Sequence, residues 1–364
     1  MELLAPVSAE AMTCLAGHAL AEIVRPLPET GTGLMSKGIG AIRVLRRALA
    51  AHVRDNRIDV VHSHSGTFPY AVLPLGADGR TSVRLHSLYC PLGARGGVYS
   101  RWWERPGFAR MLFGRLDRVV AVTDNVRRSI ERAGVSPERI ESIPMCVDTQ
   151  RFQPREHSTP LRYFSQNGDS IRLLYIGNAS KEKGLIPLLD AVKRLAGEGI
   201  PVSLVAAIEN QSQVREYAAG HDLVKQRIEE LEIDRQVRLL GLVDRIEDLY
   251  AESDYLVIPW ETSRGPSDYP MVALEAMAMG KCVVATPVGG CPELLDHGKA
   301  GILTEGFSAE SLASAIRCAR GNRENRHAME RAAMRKVGEL SLSASASRMV
   351  SLYERLLKAK GRRD

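Results

Sequence analysis

The most constraining feature of this sequence is a strand–loop–helix–strand pattern at residues 253–290. The apolar run from Ser253 to Trp260 has the length and composition of a buried strand. After a loop, residues 271–279 are rich in strong helix formers, and Gly280 can end the helix. A second apolar strand, Lys281–Thr286, follows at once. The pattern predicts a unit whose helix begins at the carboxyl end of the sheet, where free N–H groups and the helix dipole attract phosphate.

Further short apolar strands occur along the whole chain, separated by segments with helical signals. They include Asp117–Thr123, Ile171–Gly177, Val202–Ala207 and Val237–Gly241. Strands that alternate with helices predict an α/β protein with doubly wound parallel sheets. The chain of 364 residues, 45% of them apolar, suits two domains with two cores. Because residues 153–170 are polar and carry prolines and a glycine, we predict an N-terminal domain at 1–160 and a C-terminal domain at 161–344.

Composition excludes several classes of protein. No apolar run approaches the roughly 18 to 20 residues of a membrane-spanning helix, and no signal-peptide pattern opens the chain. The six cysteines are scattered without a C-x-x-C spacing, so we expect free thiols in a reducing cytosol and neither disulfides nor a metal site. The net charge of +6 permits attraction to an anionic membrane or a nucleotide without requiring either.

Two predicted strands in the first half end in histidines. The first, Ile58–Ser65, ends with His62 and His64, and the second, Ser82–Ser87, ends with His86. Ligands bind at the carboxyl ends of such strands. The alternative for His62, a histidine held by backbone groups at the edge of the core, stays equally open. A metal is not expected, because no third ligand is evident.

The segment Arg95–Arg115 combines arginines with two of the three tryptophans. One interpretation is a membrane-surface patch, since arginine pairs with lipid phosphate and tryptophan suits the interface. The interpretation we favour is a connecting helix that packs on the sheet, because Pro106–Gly107 interrupts any continuous amphipathic helix.

The stretch Ser267–Gly280 resembles retaining, nucleotide-sugar-dependent glycosyltransferases of family 4. Their signature is a Glu, seven residues and a second Glu that opens Glu-Ala-Met-Ala; here Glu275 is the second Glu and Ser267 replaces the first. Gly289–Leu294 resembles the family's Gly-Gly-x-Pro-Glu turn, and Ile143–Asp148 its Ile-Pro-Asn-Gly-Val-Asp. The resemblance covers nearly the whole chain, although the family's first strand, loop and helix have no counterpart at its start. It implies the GT-B fold, two Rossmann-like domains facing a cleft, with a C-terminal helix at 345–364 that packs back on the N-terminal domain.

The resemblance also implies roles for individual residues. Glu275 would hold the ribose, although the helix dipole alone could favour a glutamate there. Lys183 matches the lysine that assists departure of the diphosphate, with Asn178 at the position of the family's arginine; the alternative is a surface lysine. His86 matches a histidine that contacts the donor sugar, and together with Lys183 it is the predicted catalytic set. The other predicted site residues are Leu242, Ser267, Asp268, Tyr269, Pro270, Met271 and Val272 on the donor side, and His62 and His64 on the acceptor side.

The activity that the resemblance implies is retaining transfer of a hexose from a nucleotide-diphosphate sugar, without a metal or other cofactor. The acceptor would be a glycan or a lipid-linked molecule in polysaccharide or cell-envelope glycan synthesis. The protein would then be cytoplasmic or peripheral at the inner face of the membrane, with no nucleic-acid partner. The alternative is a degenerate GT-B protein that binds a nucleotide sugar or a partner enzyme without turnover. An NAD-binding protein is disfavoured, because no G-x-G-x-x-G follows the first strand.

Overall fold

The computed structural model of the protein describes residues 3–5, 24–26, 38–65, 70–93, 106–156, 160–164, 169–208, 215–263 and 267–361. The chain divides into two compact units. The first comprises Met1–Val122, Val126–Ile143 and Arg348–Asp364, and the second comprises Thr123–Asn125 and Pro144–Ser347. The predicted linker, residues 153–170, falls within the range of the second unit.

Parallel strands build the first unit. β1 (Leu3–Ala5) pairs with β2 (Val24–Pro26) in a two-stranded sheet. A four-stranded sheet has the order β3-β4-β5-β6, and every pair in it is parallel. Its strands are β3 (Val60–Ser65), β4 (Val83–Leu88), β5 (Arg118–Ala121) and β6 (Ile140–Ser142). Parallel neighbours need crossover connections, which brings their carboxyl ends to one edge of the sheet.

Helices connect these strands. They are α1 (Gly38–Asp55), α2 (Pro106–Phe113) and α3 (Asp124–Arg132). On α1 the residues Leu45, Leu49 and Val53 are buried at a spacing of four, which is the helical face that the sequence predicts. On α2 the residues Ala109 and Leu112 are buried, so this helix packs on the core as the favoured interpretation expects. The tryptophans of the same segment lie outside the described residues.

A six-stranded parallel sheet forms the centre of the second unit, in the order β12-β11-β10-β7-β8-β9. Its strands are β7 (Ile171–Gly177), β8 (Val202–Ile208), β9 (Val237–Leu240), β10 (Tyr255–Ile258), β11 (Cys282–Ala285) and β12 (Ile302–Leu303). The chain runs outward from β7 to β9 and then returns to the other side of β7 at β10. The boundary between β7 and β10 is therefore the topological switch point, where open α/β sheets bind ligands.

Helices connect the strands of this sheet and follow its last strand. They are α4 (Leu185–Gly197), α5 (Arg215–Leu231), α6 (Ile246–Glu252), α7 (Met271–Ala278), α8 (Cys291–Leu294), α9 (Ala309–Gly321) and α10 (Arg323–Glu339). One apolar cluster joins α7 to β10 and β11, and another joins α4 and α9 to β7 and β8. Strands covered by such clusters read as continuous apolar runs, which is why the sequence predicts them well.

The last helix, α11 (Leu342–Ala359), supplies its later residues to the first unit. Leu352 and Leu356 are buried there in one apolar cluster with Leu85 and Val120 of the four-stranded sheet. None of the helices in the described part of the chain combines the length and the apolar character that a membrane crossing requires.

Candidate functional site

The loops that follow β7 and β10 meet at the switch point of the second unit. A single 3₁₀ turn, Lys181–Lys183, follows β7 and ends at Gly184, whose φ is +67°. A Cβ at Gly184 would lie 1.7 Å from the backbone oxygen of Pro259, in the loop after β10. The N–H of Glu261 also donates to the backbone oxygen of Glu182 at 3.0 Å. Glycine is therefore required at 184, because both its backbone conformation and the contact with Pro259 exclude a side chain.

Lys183 projects from this turn onto an aromatic ring. Its Nζ lies 3.5 Å from the centroid of the Trp260 ring, which is a close cation–π contact. Burial lowers the pKa of Lys183 from 10.5 to about 8, and the Cys291 thiol and Glu182 oppose that shift. Within the described residues no carboxylate forms an ion pair with Lys183. This ammonium group has lost part of its water and has no ion-pair partner among the described residues, which favours the arrival of an anion.

Glu275 lies on α7, on the other side of the switch point. The hydroxyl of Tyr250 donates to its Oε2 at 2.7 Å. Burial raises the pKa of Glu275, while the Tyr250 hydroxyl and the charge of Arg151 act against that rise. Arg151 also donates from Nε to Oε1 of Glu247 at 2.6 Å. The hydroxyl of Tyr250 thus fixes one oxygen of Glu275, and a carboxylate has further lone pairs that can accept hydrogen bonds from a ligand.

Ser267, shortly before α7, lies at the position of the family's first glutamate, and Asp268 is the next residue. The hydroxyl of Ser267 accepts from the N–H of Tyr269 at 3.1 Å and lies 3.2 Å from the sulfur of Met145. Asp268 is completely buried, and the Thr123 hydroxyl donates to its Oδ2 at 2.7 Å. The side chain of Asp268 is therefore engaged inside the second unit.

The glycine pair that follows β11 packs on the same aspartate. The N–H of Gly290 donates to the backbone oxygen of Asp268 at 2.9 Å. Gly289 has a φ of +59°, and a Cβ there would lie 2.8 Å from Oδ1 of Asp268. This arrangement fixes the turn into α8 against the loop that precedes α7.

The remaining donor-side residues surround these groups. Tyr269 and Pro270 are buried, and Met271 and Val272 form the first turn of α7 with partly buried side chains. N–H groups in the first turn of a helix have no acceptor within that helix, which leaves them free for an anionic ligand. Leu242, in the loop after β9, is 77% exposed.

Asn178 follows β7 directly. Its Oδ1 accepts from the N–H of Ser180 at 3.1 Å, and its backbone oxygen accepts from the Tyr175 hydroxyl at 2.6 Å. The asparagine thus shapes the loop that leads to Lys183. It adds no charge to the site.

The predicted histidines lie in the first unit, within β3 and β4: His64 is next to the last residue of β3, whereas His62 and His86 lie nearer the middle of their strands. His62 bridges two hydroxyls: its Nδ1 lies 2.7 Å from the Tyr353 hydroxyl and its Nε2 lies 2.8 Å from the Ser87 hydroxyl. The ring of His64 stacks on that of His62 with centroids 4.1 Å apart, and its Nδ1 lies 2.9 Å from the Tyr89 hydroxyl. Burial, reinforced by the neighbouring histidines, lowers the pKa of His62 to about 2, so its ring is neutral.

His86 lies one strand further into the sheet and is completely buried. Its Nδ1 lies 2.8 Å from the Ser63 hydroxyl, and its ring stacks near Phe113. Its Nε2 has no hydrogen-bond partner among the described residues. Burial lowers the pKa of His86 to about 3, with a further contribution from His64. The three predicted histidines therefore form one neutral polar cluster with serine and tyrosine hydroxyls. In the described part of the chain no group of three metal-ligating side chains is placed to hold a metal ion.

Several contacts of these sites were not singled out from the sequence. They are the ring of Trp260 under Lys183, the hydroxyl of Tyr250 on Glu275, and Tyr353 beside His62. The signal for Trp260 was its place at the end of a buried strand. Tyr250 and Tyr353 carried no local signal, because each meets its partner only through the tertiary fold.

Comparison with known proteins supports the geometry. The sequence pattern of the family described as "Glycosyltransferase Family 4" matches residues 14–151, and that of "Glycosyl transferases group 1" matches residues 170–321. Among solved structures, a glycosyltransferase from Rickettsia africae has a TM-score of 0.77 at 19% identity, with 98% of this chain and 89% of that chain covered. The Anabaena protein HepE, crystallised with UDP, has a TM-score of 0.74 at 19% identity, with 97% and 91% covered. The chain has the GT-B fold and belongs to glycosyltransferase family 4.

The matches to relatives of known activity cover a smaller share of both chains. A D-inositol 3-phosphate glycosyltransferase from Geodermatophilus obscurus is 27% identical over 81% of this chain and 66% of its own length. The corresponding enzyme from Corynebacterium jeikeium is 30% identical over 66% of this chain and 58% of its own length. The matched region thus spans less than two thirds of each of these relatives.

Proposed function

We propose that this protein is a retaining glycosyltransferase that moves a hexose from a nucleotide-diphosphate sugar to a glycan or lipid-linked acceptor. The observation that carries the proposal is the pair of opposite charges at the switch point of the second unit. Lys183 follows β7 and Glu275 follows β10, and the two strands are neighbours in the sheet. A nucleotide diphosphate needs both a cation for its phosphates and a hydrogen-bond acceptor for its ribose.

Each side chain has a defined part in this proposal. Lys183 would stabilise the diphosphate as it leaves, because its partly desolvated ammonium regains a full partner as negative charge develops. Glu275 would accept hydrogen bonds from the ribose hydroxyls, chiefly through Oε1, the oxygen that Tyr250 does not contact. Free N–H groups at the start of α7 would add to the anion site. HepE, whose crystals contain UDP or UDP-glucose, supports this class of donor.

The histidine cluster of the first unit completes the proposal. Neutral imidazoles both donate and accept hydrogen bonds, which suits sugar hydroxyls better than phosphate. His62 and His64 would serve the acceptor. The unpartnered Nε2 of His86 is the atom proposed to meet the sugar, which requires this side chain to become accessible on binding. Synthesis of a polysaccharide or cell-envelope glycan on a lipid-linked acceptor would place the protein at the inner face of a membrane, and this location is part of the proposal.

Calorimetry without metal tests the donor site. UDP, GDP, UDP-glucose and GDP-mannose would be titrated into the wild type, Glu275→Ala and Tyr250→Phe. We expect one base to bind, and Glu275→Ala to weaken that binding about tenfold or more, since charge-assisted hydrogen bonds to the ribose are lost. Tyr250→Phe keeps the carboxylate and should have a smaller effect. The matched control is Glu305→Ala, an exposed glutamate in a loop of the same unit. Failure of every nucleotide to bind the folded protein would refute the donor site.

A second candidate function is a degenerate GT-B protein that binds a nucleotide sugar without turnover. It is favoured by the two departures from the family pattern at Ser267 and Asn178, whose side chains carry no charge. Ser267 contacts Met145, Asp268 is engaged by Thr123, and the Asn178 side-chain oxygen accepts from the backbone of Ser180. Binding of a nucleotide sugar with neither its hydrolysis nor its transfer would favour this candidate.

A further inference from the structure

A cavity lies in the first unit, away from the histidine cluster. It has a volume of about 770 Å³ and lies between α2 and the segment 134–139. α2 precedes β5 and the segment precedes β6. The cavity is therefore at the amino edge of the four-stranded sheet, whereas the histidines lie within β3 and β4, with His64 next to the carboxyl edge. Ligands of the proposed transfer reaction belong at the carboxyl edge, so the donor and acceptor sites do not account for this cavity.

Three arginines line the cavity, and the described residues of its lining include no acidic side chain. Arg139 is half-buried, and its Nη1 donates to the backbone oxygen of Leu116 at 2.8 Å, which fixes the guanidinium. Arg110 and Arg115 are exposed. Within the described residues none of the three forms an ion pair with a carboxylate. Three guanidinium groups around one concavity, with no carboxylate among the described residues that line it, favour a multiply charged anion.

The shape of the cavity depends on glycines. Gly107 and Gly114 lie on the outward side of α2 with Arg110 and Met111, at helical spacing, while Ala109 and Leu112 face the core. A Cβ at Gly107 would meet nothing within 4 Å, so this position opens directly into free space. The exposed side chain of Met111 adds an apolar surface at the rim. The cavity thus offers charge for an anion and apolar surface for the organic group attached to it.

We propose that this cavity is a binding site for a phosphate ester, separate from the donor and acceptor sites and independent of the proposed transferase activity. The planar guanidinium group of arginine can bind two oxygens of one phosphate at once. The ammonium group of lysine acts only as a point charge. The groove of about 770 Å³ has room for more than a bare ion, and Met111 offers apolar contact at its rim, so we expect the ligand to carry an organic group. The same chemistry is presented by a soluble sugar or glycerol phosphate and by a phospholipid headgroup.

Two probes distinguish these sources. Glycerol 3-phosphate would be titrated into the full chain by calorimetry. Phosphatidylcholine vesicles, with and without phosphatidylglycerol, would be tested by co-sedimentation. Binding of glycerol 3-phosphate supports a soluble ligand, and binding only to vesicles that contain phosphatidylglycerol supports a headgroup.

Two variants test whether the cavity is responsible. Arg110→Glu/Arg115→Glu reverses its charge and should weaken binding about tenfold or more. Gly107→Leu fills the cavity and keeps every arginine, so it should also weaken binding, which a diffuse electrostatic attraction would not show. The matched control is Arg43→Glu/Arg47→Glu on α1, which makes the same change of charge at exposed positions of the same unit. Absence of binding to both probes, or an equal loss in the control and the cavity variants, would overturn the proposal.

Discussion

The carboxyl edges of the two sheets carry opposite kinds of chemistry. In the second unit the residues at this edge are charged. The ammonium group of Lys183 contacts the ring of Trp260, and Glu275 lies near Arg151. In the first unit His64 lies next to the corresponding edge, and His62 and His86 lie within the strands beside it; burial lowers the pKa of all three, so that the cluster is polar and neutral. Parallel α/β topology provides a ligand-binding edge in both cases, but it does not determine the charge there.

The difference in charge follows from the ordinary pKa of each side chain, since burial lowers the pKa of the lysine and of the histidines alike. Lys183 is desolvated yet keeps a pKa of about 8, so it is still mostly protonated near neutral pH. The histidines start from 6.5, and a similar loss of water places them far below neutral pH. One edge therefore suits an anion such as a diphosphate, and the other suits hydroxyl groups. Three measurements test this contrast between the two edges.

The largest effect is expected from the backbone that holds the charged edge together. Gly184→Ala introduces a Cβ at 1.7 Å from the oxygen of Pro259, at a φ of +67°. We expect the free energy of unfolding of the second unit to fall by about 3 kcal/mol or more, measured by urea denaturation, since steric overlap adds to the left-handed conformation. The matched control is Gly199→Ala, where φ is +74° but nothing lies within 4 Å of the new Cβ. It should lose only about 1 kcal/mol. Equal losses in the two variants would contradict a packed junction between the loops after β7 and β10.

The second effect concerns the ammonium of Lys183. Lys183→Ala should lower the rate of donor hydrolysis or transfer about a hundredfold, because one preorganised group that stabilises the developing charge is removed. Only the protonated lysine attracts phosphate, so the affinity of the wild type for the nucleoside diphosphate should also decline as the pH rises through about 8. Lys181→Ala is the matched control, an exposed lysine in the same turn. A variant at 183 with unchanged rate and an unchanged pH profile would place the phosphate site elsewhere.

Local sequence was enough to predict much of the charged edge. β7, β10 and β11 are mostly apolar runs, as strands buried on both faces should be, and Lys183 and Glu275 lie in the connections that follow β7 and β10. The position of each residue at the carboxyl edge thus follows from strand order alone.

The environment of each group could not be predicted in the same way. Asp268 is held by Thr123, a residue 145 positions away in the sequence, and Glu275 by Tyr250, 25 positions away. Neither pair has a periodic pattern that sequence analysis could detect. The burial of His86 was missed for the same reason: a strand that ends in histidine looks alike whether the ring faces solvent or the core.

The smallest of the three effects tests the neutral edge. The pKa of His62 is lowered from 6.5 to about 2, so below pH 6.5 the unfolded chain binds a proton that the folded chain does not. Stability is then complete above pH 6.5 and falls as the pH decreases, by about 2 kcal/mol between pH 7 and pH 5 for one such histidine. His62→Gln keeps hydrogen-bonding groups and cannot titrate, so it should reduce this acid sensitivity.

Amide hydrogen exchange in β3 and β4 would report on the first unit alone. The control His327→Gln changes an exposed histidine of the second unit and should leave the pH profile of β3 and β4 unaltered. If exchange in these strands depends equally on pH in the wild type and His62→Gln, the ring is not held neutral, and the contrast between the two edges fails at that residue.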